Sequence, residues 1–327
     1  MVRLHLLPRP ARQRLRRLRN SLRFAWKRPR LARSRNIRVL LLSDWWGDAR
    51  TALDMLTPGG SGRIGRVHFA MEHAAEPHYT VVLTKIEREA PKAFPPHRLC
   101  YLIGEPPVDL ERWIYDRAPP ASRIYSVPMP EGWIGDREWR RFVCPMRTWH
   151  VGRSYDQLKS EPLPSDKPRR LSWITSNLSR LPGHRKRLAF LRRLQGAMDF
   201  DLFGRGFQRI VDKWTALAPY RYSIAFENSV FDDYFTEKVA DPIMAGALPL
   251  YYGSGNLERH LPPGAFLRFD PDDPLVFDRI RDWTASDLWL ERRPALEEAK
   301  ALLLDRHNVW RVLADELEAD FALTFAR

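Results

Sequence analysis

The chain has 327 residues, 44% of them hydrophobic and 29% charged, and a formal net charge of +14. That length supports two hydrophobic cores, and the apolar share excludes a disordered or fibrous protein. The two cysteines, Cys100 and Cys144, exclude a disulfide framework, and no run of about 20 apolar residues offers a membrane-spanning helix.

The charge is concentrated at the start. Residues 1–35 hold 13 of the 54 Lys and Arg and no Asp or Glu, which leaves 41 basic against 40 acidic residues in the body. Leu15, Leu18, Leu22 and Trp26 recur at helical spacing among the arginines. This basic amphipathic tail suits an anionic membrane surface. A nucleic-acid arm is the rival reading and a disordered leader the plain one. The near-neutral body weighs against nucleic acid. No apolar segment follows the positive start as a secretory signal requires, and the sparse cysteines favour a reducing cytoplasm.

In the body, 37–43 reads as a buried strand running into Asp44-Trp45-Trp46-Gly47-Asp48. Neighbouring side chains at a strand exit face opposite sides, so one tryptophan lines a cleft or merely covers a loop. The glycine-rich stretch 57–65 lacks the Gly-Lys-Ser/Thr of a phosphate loop and reads as a flexible surface loop. A helix-like segment to about His73 and a strand over 79–84 follow. His68, His73 and His78 share no helical face and read as ordinary histidines rather than a metal site. Residues 98–103 read as a strand closed by Gly104-Glu105-Pro106-Pro107. Glu105 thus sits at a strand's C-terminal end, a perch for a general base or for a capping carboxylate. After a strand at 122–127, the proline-rich 160–168 marks a domain boundary.

A fresh strand at 170–175 leads to Ser176-Asn177 and a helix over 184–194. Leu188, Leu191 and Leu194 point inward on that helix. Arg185 and Arg187 near its start oppose the helix dipole, which an anion there would relieve. After a strand at 199–203, residues 221–253 read as strand, polar turn, helix, small-residue turn and strand. This is a βαβ unit and implies a parallel sheet. Its strand-to-helix corner gathers Glu227, Asn228, Tyr234, Thr236, Glu237 and Lys238. Ligands bind at that edge of open parallel sheets, and a helix N-terminus with a lysine favours phosphate. A capping cluster with a solvated lysine is the plain alternative. Pro242 is expected to kink the helix. Asp270-Pro271-Asp272 has the form of a metal motif but reads as an acidic turn. Helices at 285–304 and 306–323 close the chain.

The run FENSVFDDYFTEK followed by AGALPLYYG resembles the signature of the α-1,3-fucosyltransferase family. The strand with Trp45, Trp46, Gly47 and Asp48, the glycine–glutamate step at Glu105, and the Ser176-Asn177 pair with its following arginine are similar to further family blocks. The resemblance covers most of 37–270. It implies an α/β fold of two Rossmann-like domains facing a cleft, the GT-B type. The expected organisation is a basic tail at 1–35, an acceptor-binding domain at 36–160, a nucleotide-sugar domain at 161–304 and a closing helix at 305–327. It also implies an inverting, metal-independent transfer of fucose from GDP-fucose to a glycan or lipopolysaccharide-type acceptor. Glu105 is then the general base, and Arg187 and Lys238 stabilise the departing diphosphate, with Arg185 as the substitute for Arg187. Ser176, Asn177, Glu227, Asn228, Tyr234, Thr236 and Glu237 bind the donor, and Trp45, Trp46 and Asp48 the acceptor. No cofactor beyond the donor substrate is expected. The lack of a spanning anchor points to a bacterial-type enzyme, cytoplasmic and peripheral on the inner membrane face. A different nucleotide sugar, or a non-catalytic carbohydrate- or nucleotide-binding protein, remains open.

Overall fold

The computed structural model describes residues 34–325, except 45, 73–75, 85–93, 117, 119–121, 131 and 144–147. Nearly all of the basic tail, Trp45, Cys144 and the side chains of Trp46 and Asp48 lie outside the described residues.

Two sheets organise the chain. The first contains β1 (Ile37–Leu42), β2 (Arg63–Ile64), β3 (Val67–Ala70), β4 (Tyr79–Leu83), β5 (Leu99–Leu102), β6 (Arg123–Ser126) and β7 (Glu138–Arg141), ordered β2-β3-β1-β4-β5-β6-β7. Only the β2–β3 pair is antiparallel. Strands β4, β5 and β6 are buried along their whole length, which is why β4 and β5 read as largely apolar runs. Helix α1 (Trp46–Leu56) follows β1, and α2 (Arg112–Asp116) lies between β5 and β6.

Two expectations are corrected here. The segment expected to be helical before His73 is β3, whose burial alternates along its four residues. The glycine-rich 57–65 is ordered rather than flexible. It forms a tight turn and the β2–β3 hairpin, pinned by the bond from Phe69 N to Gly62 O at 2.8 Å. Gly62 has φ +66, and a Cβ there would fall 2.5 Å from Phe69 O, so only glycine fits.

The second sheet follows α3 (Tyr155–Ser160). It contains β8 (Arg169–Ile174), β9 (Asp201–Phe203), β10 (Tyr220–Phe226), β11 (Leu248–Tyr252) and β12 (Leu267–Arg268), ordered β12-β11-β10-β8-β9. All its pairings are parallel. Helix α4 (Pro182–Ala197) joins β8 to β9, and α5 (Glu237–Met244) joins β10 to β11. The chain leaves β8 in one direction for β9 and in the other for β10. The crevice at the carboxyl ends of β8 and β10 is therefore the topological switch point, where open α/β sheets bind ligands. The proline-rich 161–168 is laid against this half of the molecule. Lys167 is 3% exposed and its ammonium donates to Ala218 O and Ala245 O at 2.8 and 2.9 Å.

Helices α6 (Val276–Ala285), α7 (Leu288–Glu291), α8 (Arg293–Asp305) and α9 (Val309–Phe325) end the chain. The two closing helices expected from sequence are α8 and α9. The last of them returns to the first sheet. The Trp310 ring lies 5.2 Å from that of Phe69, and its indole N–H donates to Ala52 O at 3.2 Å. Phe321 and Phe325 pack edge-on to His78, while Asp320 accepts from Tyr79 Oη at 2.5 Å and Arg123 Nη2 at 2.7 Å.

Candidate active site

The site grows from the end of β10. Glu227, the next residue, is wholly buried. Its Oε1 accepts from Thr236 N at 2.8 Å, its two oxygens accept from the Thr236 hydroxyl at 2.8 and 2.9 Å, and Lys238 Nζ lies 3.3 Å from Oε2. Burial pushes this carboxyl above its ordinary range against the pull of Lys238. Glu227 therefore sits beneath the site as an anchor and does not reach a donor as the resemblance implied. Gly253 gives it room, since a Cβ there would lie 2.6 Å from Glu227 Cγ.

Thr236 caps α5, its hydroxyl accepting from Lys238 N at 3.2 Å. This fixes Glu237 and Lys238 in the first turn. Burial alone would discharge Lys238, but the charges of Glu227 and Glu237 overcome it and hold the ammonium above its ordinary range. Burial raises Glu237 as well, yet Lys238 and Lys213 outweigh it and bring the carboxyl to about 2. Pro242 lies inside α5, and Ala247 N donating to Pro242 O and Gly246 N to Ile243 O close the helix after it. Its ring leaves the first turn intact.

Arg187 faces this corner from α4. It is 4% exposed; Nη1 donates to Asn228 Oδ1, and Nη2 to Ser176 O and Oγ at 3.0 and 3.2 Å. Its Nε is buried with no hydrogen-bond partner among the described residues. Burial lowers its affinity for its proton, so an anion beside it would be strongly favoured. The approach of α4 to Asn228 requires Gly183, because a Cβ there would stand 1.6 Å from Asn228 O. Arg185 points elsewhere and donates to Ser179 O and Arg180 O at 3.3 and 3.2 Å. Of the two arginines, Arg187 is the one at the site. Asn177 is exposed and its side chain lies against Gly206.

Three participants are invisible to sequence reasoning. Asp241, one turn beyond Glu237 and 2% exposed, accepts from Lys213 Nζ at 2.6 Å and from His150 N at 2.5 Å. Its partners come from distant loops, and no local motif signals them. Together these groups wall a cavity of about 800 Å³ that also reaches α1 through Thr51 and Met55. Six Lys and Arg line it against three carboxylates.

Glu105 and Tyr234 are not among the lining residues. Glu105 is half-buried in the turn after β5, where its main-chain oxygen accepts from Tyr115 Oη at 3.0 Å. Burial, with the charges of Glu227, Glu105 and Glu237, drives the Tyr234 phenol far above its ordinary range. Glu105 is thus close enough for its charge to act on Tyr234. The corner is tied to the first sheet at Asp233, whose φ is +65. Its carboxylate takes Arg141 from the end of β7, Asn256 Nδ2 at 3.0 Å and His260 Nε2 at 2.8 Å. A second pair, Arg180 with Glu111, also spans the two halves. Asp272 pairs with Lys186 at 2.6 Å, as an acidic turn would, and no cluster of His, Cys, Asp and Glu among the described residues is arranged to hold a metal.

Residues 164–273, which hold β8 to β12 and the Arg187–Lys238 corner, match the family model described as glycosyltransferase family 10 (fucosyltransferase) C-term. Over those residues the chain is similar to family 10 glycosyltransferases. It is 41% identical over 64 residues to GDP-fucose protein O-fucosyltransferase 3 of Danio rerio, a match covering 19% of this chain and 14% of that protein. It is 34% identical over 133 residues to alpha-(1,3)-fucosyltransferase 4 of Mus musculus, covering 38% of this chain and 29% of that one. The matches therefore span less than a third of these relatives' lengths. Among solved structures, the DNA-modifying enzyme β-glucosyltransferase superposes with a TM-score of 0.50 at 10% identity, covering 89% of this chain and 100% of that one. The two sheets together thus have the GT-B fold.

Proposed function

We propose that the chain is an inverting glycosyltransferase that moves fucose from GDP-fucose to a hydroxyl of an oligosaccharide or lipopolysaccharide-type acceptor. The observation that carries this reading is the pairing of Arg187 and Lys238 over the switch point, with an unpartnered buried Nε. A nucleoside diphosphate brings negative charge that grows as the sugar leaves, and fixed cations at that spot stabilise it in the transition state more than in the ground state. Glu105 removes the acceptor proton as the hydroxyl attacks. Glu237 stays ionised at every physiological pH, so it accepts hydrogen bonds from donor hydroxyls and does not exchange protons. The excess of cations in the cavity supports diphosphate stabilisation without a metal. Fucose as the sugar rests on the family and on the names of the relatives. No helix among the described residues is long and apolar enough to cross a membrane. Peripheral attachment at the inner membrane face rests on the amphipathic pattern of residues 1–35.

The test is turnover of GDP-fucose, GDP-mannose and UDP-galactose with an N-acetyllactosamine-type acceptor in EDTA, for wild type, Glu105→Gln and Lys238→Ala. Transfer from GDP-fucose alone is expected, lost in both variants, with Glu105→Gln still binding the donor. Full activity in Glu105→Gln would remove it as the base, and no binding of any GDP-sugar would sink the donor assignment.

A further inference from the structure

Glu105 and the Arg187–Lys238 clamp come from opposite halves of the molecule. A base acts only within hydrogen-bond reach of its proton, and a misplacement of about 1 Å can cost about 100-fold in rate. The turn that carries Glu105 runs through the buried Pro106 and Pro107 into a short helical turn at Asp109–Glu111 and then α2. Proline fixes its own φ. Val108 N donates to Pro106 O and Glu111 N to Val108 O, both at 2.8 Å. Tyr115 Oη returns from α2 to Glu105 O at 3.0 Å. Tyr115 is itself wholly buried, its ring edge-on to Trp133 at 5.3 Å. Residues 105–115 therefore move as one unit, and whatever holds Glu111 also holds Glu105.

Glu111 is held from the other half. It is 4% exposed, and Arg180 is its one ion-pair partner among the described residues. Arg180 lies in the loop after β8, where Ser176 O, Ser176 Oγ and Leu178 O accept from Arg187 Nη2 at 3.0, 3.2 and 3.4 Å. One loop is thus gripped by the clamp arginine and in turn grips the unit that carries Glu105. Neither Arg180 nor Glu111 lines the cavity. The Arg141–Asp233 pair crosses the halves as well, but Asp233 keeps Asn256 and His260 without Arg141. Glu111 has no such reserve among the described residues. Resting on the transferase reading above, we propose that Arg180 and Glu111 are positioning residues, whose pairing sets the reach from Glu105 to the Arg187–Lys238 clamp.

The experiment is steady-state transfer from GDP-fucose, to an N-acetyllactosamine-type acceptor and to water, with calorimetric titration of GDP. Wild type, Arg180→Met, Glu111→Gln and the double variant are compared, and the thermal midpoint of each reports folding. Both single variants are expected to lower kcat at least about 10-fold, while GDP affinity and the donor KM stay within about 2-fold. Arg180→Met strands a buried carboxylate and should lose thermal midpoint; the double variant removes that charge and should regain it. Its kcat should stay as low as in the single variants and fall no further, because the pair acts as a unit. Wild-type kcat in Arg180→Met or in the double variant, or losses that multiply, would overturn this inference and leave the transferase reading intact. A wild type that binds GDP yet transfers fucose neither to the acceptor nor to water overturns the transferase reading and this inference with it.

Discussion

Replacing Glu237 by Gln tests how the α5 corner stores electrostatic energy. The folded protein holds this carboxyl at about 2, against an ordinary 4.5. Burial opposes that shift, and Lys238 and Lys213 produce it. A depressed carboxyl contributes stability that is present above its unfolded value and lost as pH falls through its folded one. A shift of this size corresponds to about 3 kcal/mol. The side chain is 31% exposed, and solvent screening brings the contribution to about 2 kcal/mol. Glu237→Gln, which keeps the size and loses the charge, should be less stable than wild type by that amount near neutral pH. The gap should shrink to little more than half by about pH 3.5, because wild type loses stability on acidification and the variant has no such charge to lose. Urea unfolding followed by circular dichroism at a series of pH values measures both quantities. A gap that stays constant with pH, or a variant more stable than wild type at neutral pH, would refute the electrostatic account.

Two further outcomes follow from contacts described above. Gly183→Ala places a methyl into Asn228 O and must displace either α4 or the Glu227–Asn228 corner; it should lose about 2 kcal/mol of stability and weaken donor binding at least about 10-fold, read by thermal unfolding and titration. Unchanged donor affinity would show that Arg187 does not depend on this approach. Arg141→Ala leaves the buried Asp233 carboxylate with Asn256 and His260 alone; hydrogen bonds from His260, Asn256 and Arg141 overcome the upward push of burial on this carboxyl. The expected loss is about 2 kcal/mol, and a thermal midpoint within about 1 °C of wild type would show that the cross-cleft pair contributes nothing.

The second sheet was legible because its strands are apolar runs separated by helical spacing and turns. The order β10, α5, β11 and the glycine that ends α5 follow from residues 221–253 alone. The first sheet was harder to read. Strand β7 is Glu-Trp-Arg-Arg on an edge, where solvent tolerates any polar sequence and no apolar pattern forms. Strand β3 has four residues, too few for its alternation to outweigh the helical spacing around it. At the site, the family resemblance, counted back from Leu194, implies Arg187 before Arg185, and Arg187 is the one of the two that lines the cavity. Asp241 escaped notice because its partners Lys213 and His150 are 28 and 91 residues away. Such pairings are decided by how the loops after β9 and before α3 come together, and short-range spacing carries no trace of them.

The return of α9 to the first sheet bears on how the molecule is made. A growing chain emerges from the ribosome N-terminus first, and domains usually fold as they appear. Here β1 to β7 emerge early, yet Asp320, Phe321 and Phe325, which pack on His78, Tyr79 and Arg123, are made last. The second sheet is complete while the sheet synthesised before it still shows an uncovered face. Apolar surface left open in this way is aggregation-prone until α9 docks on it.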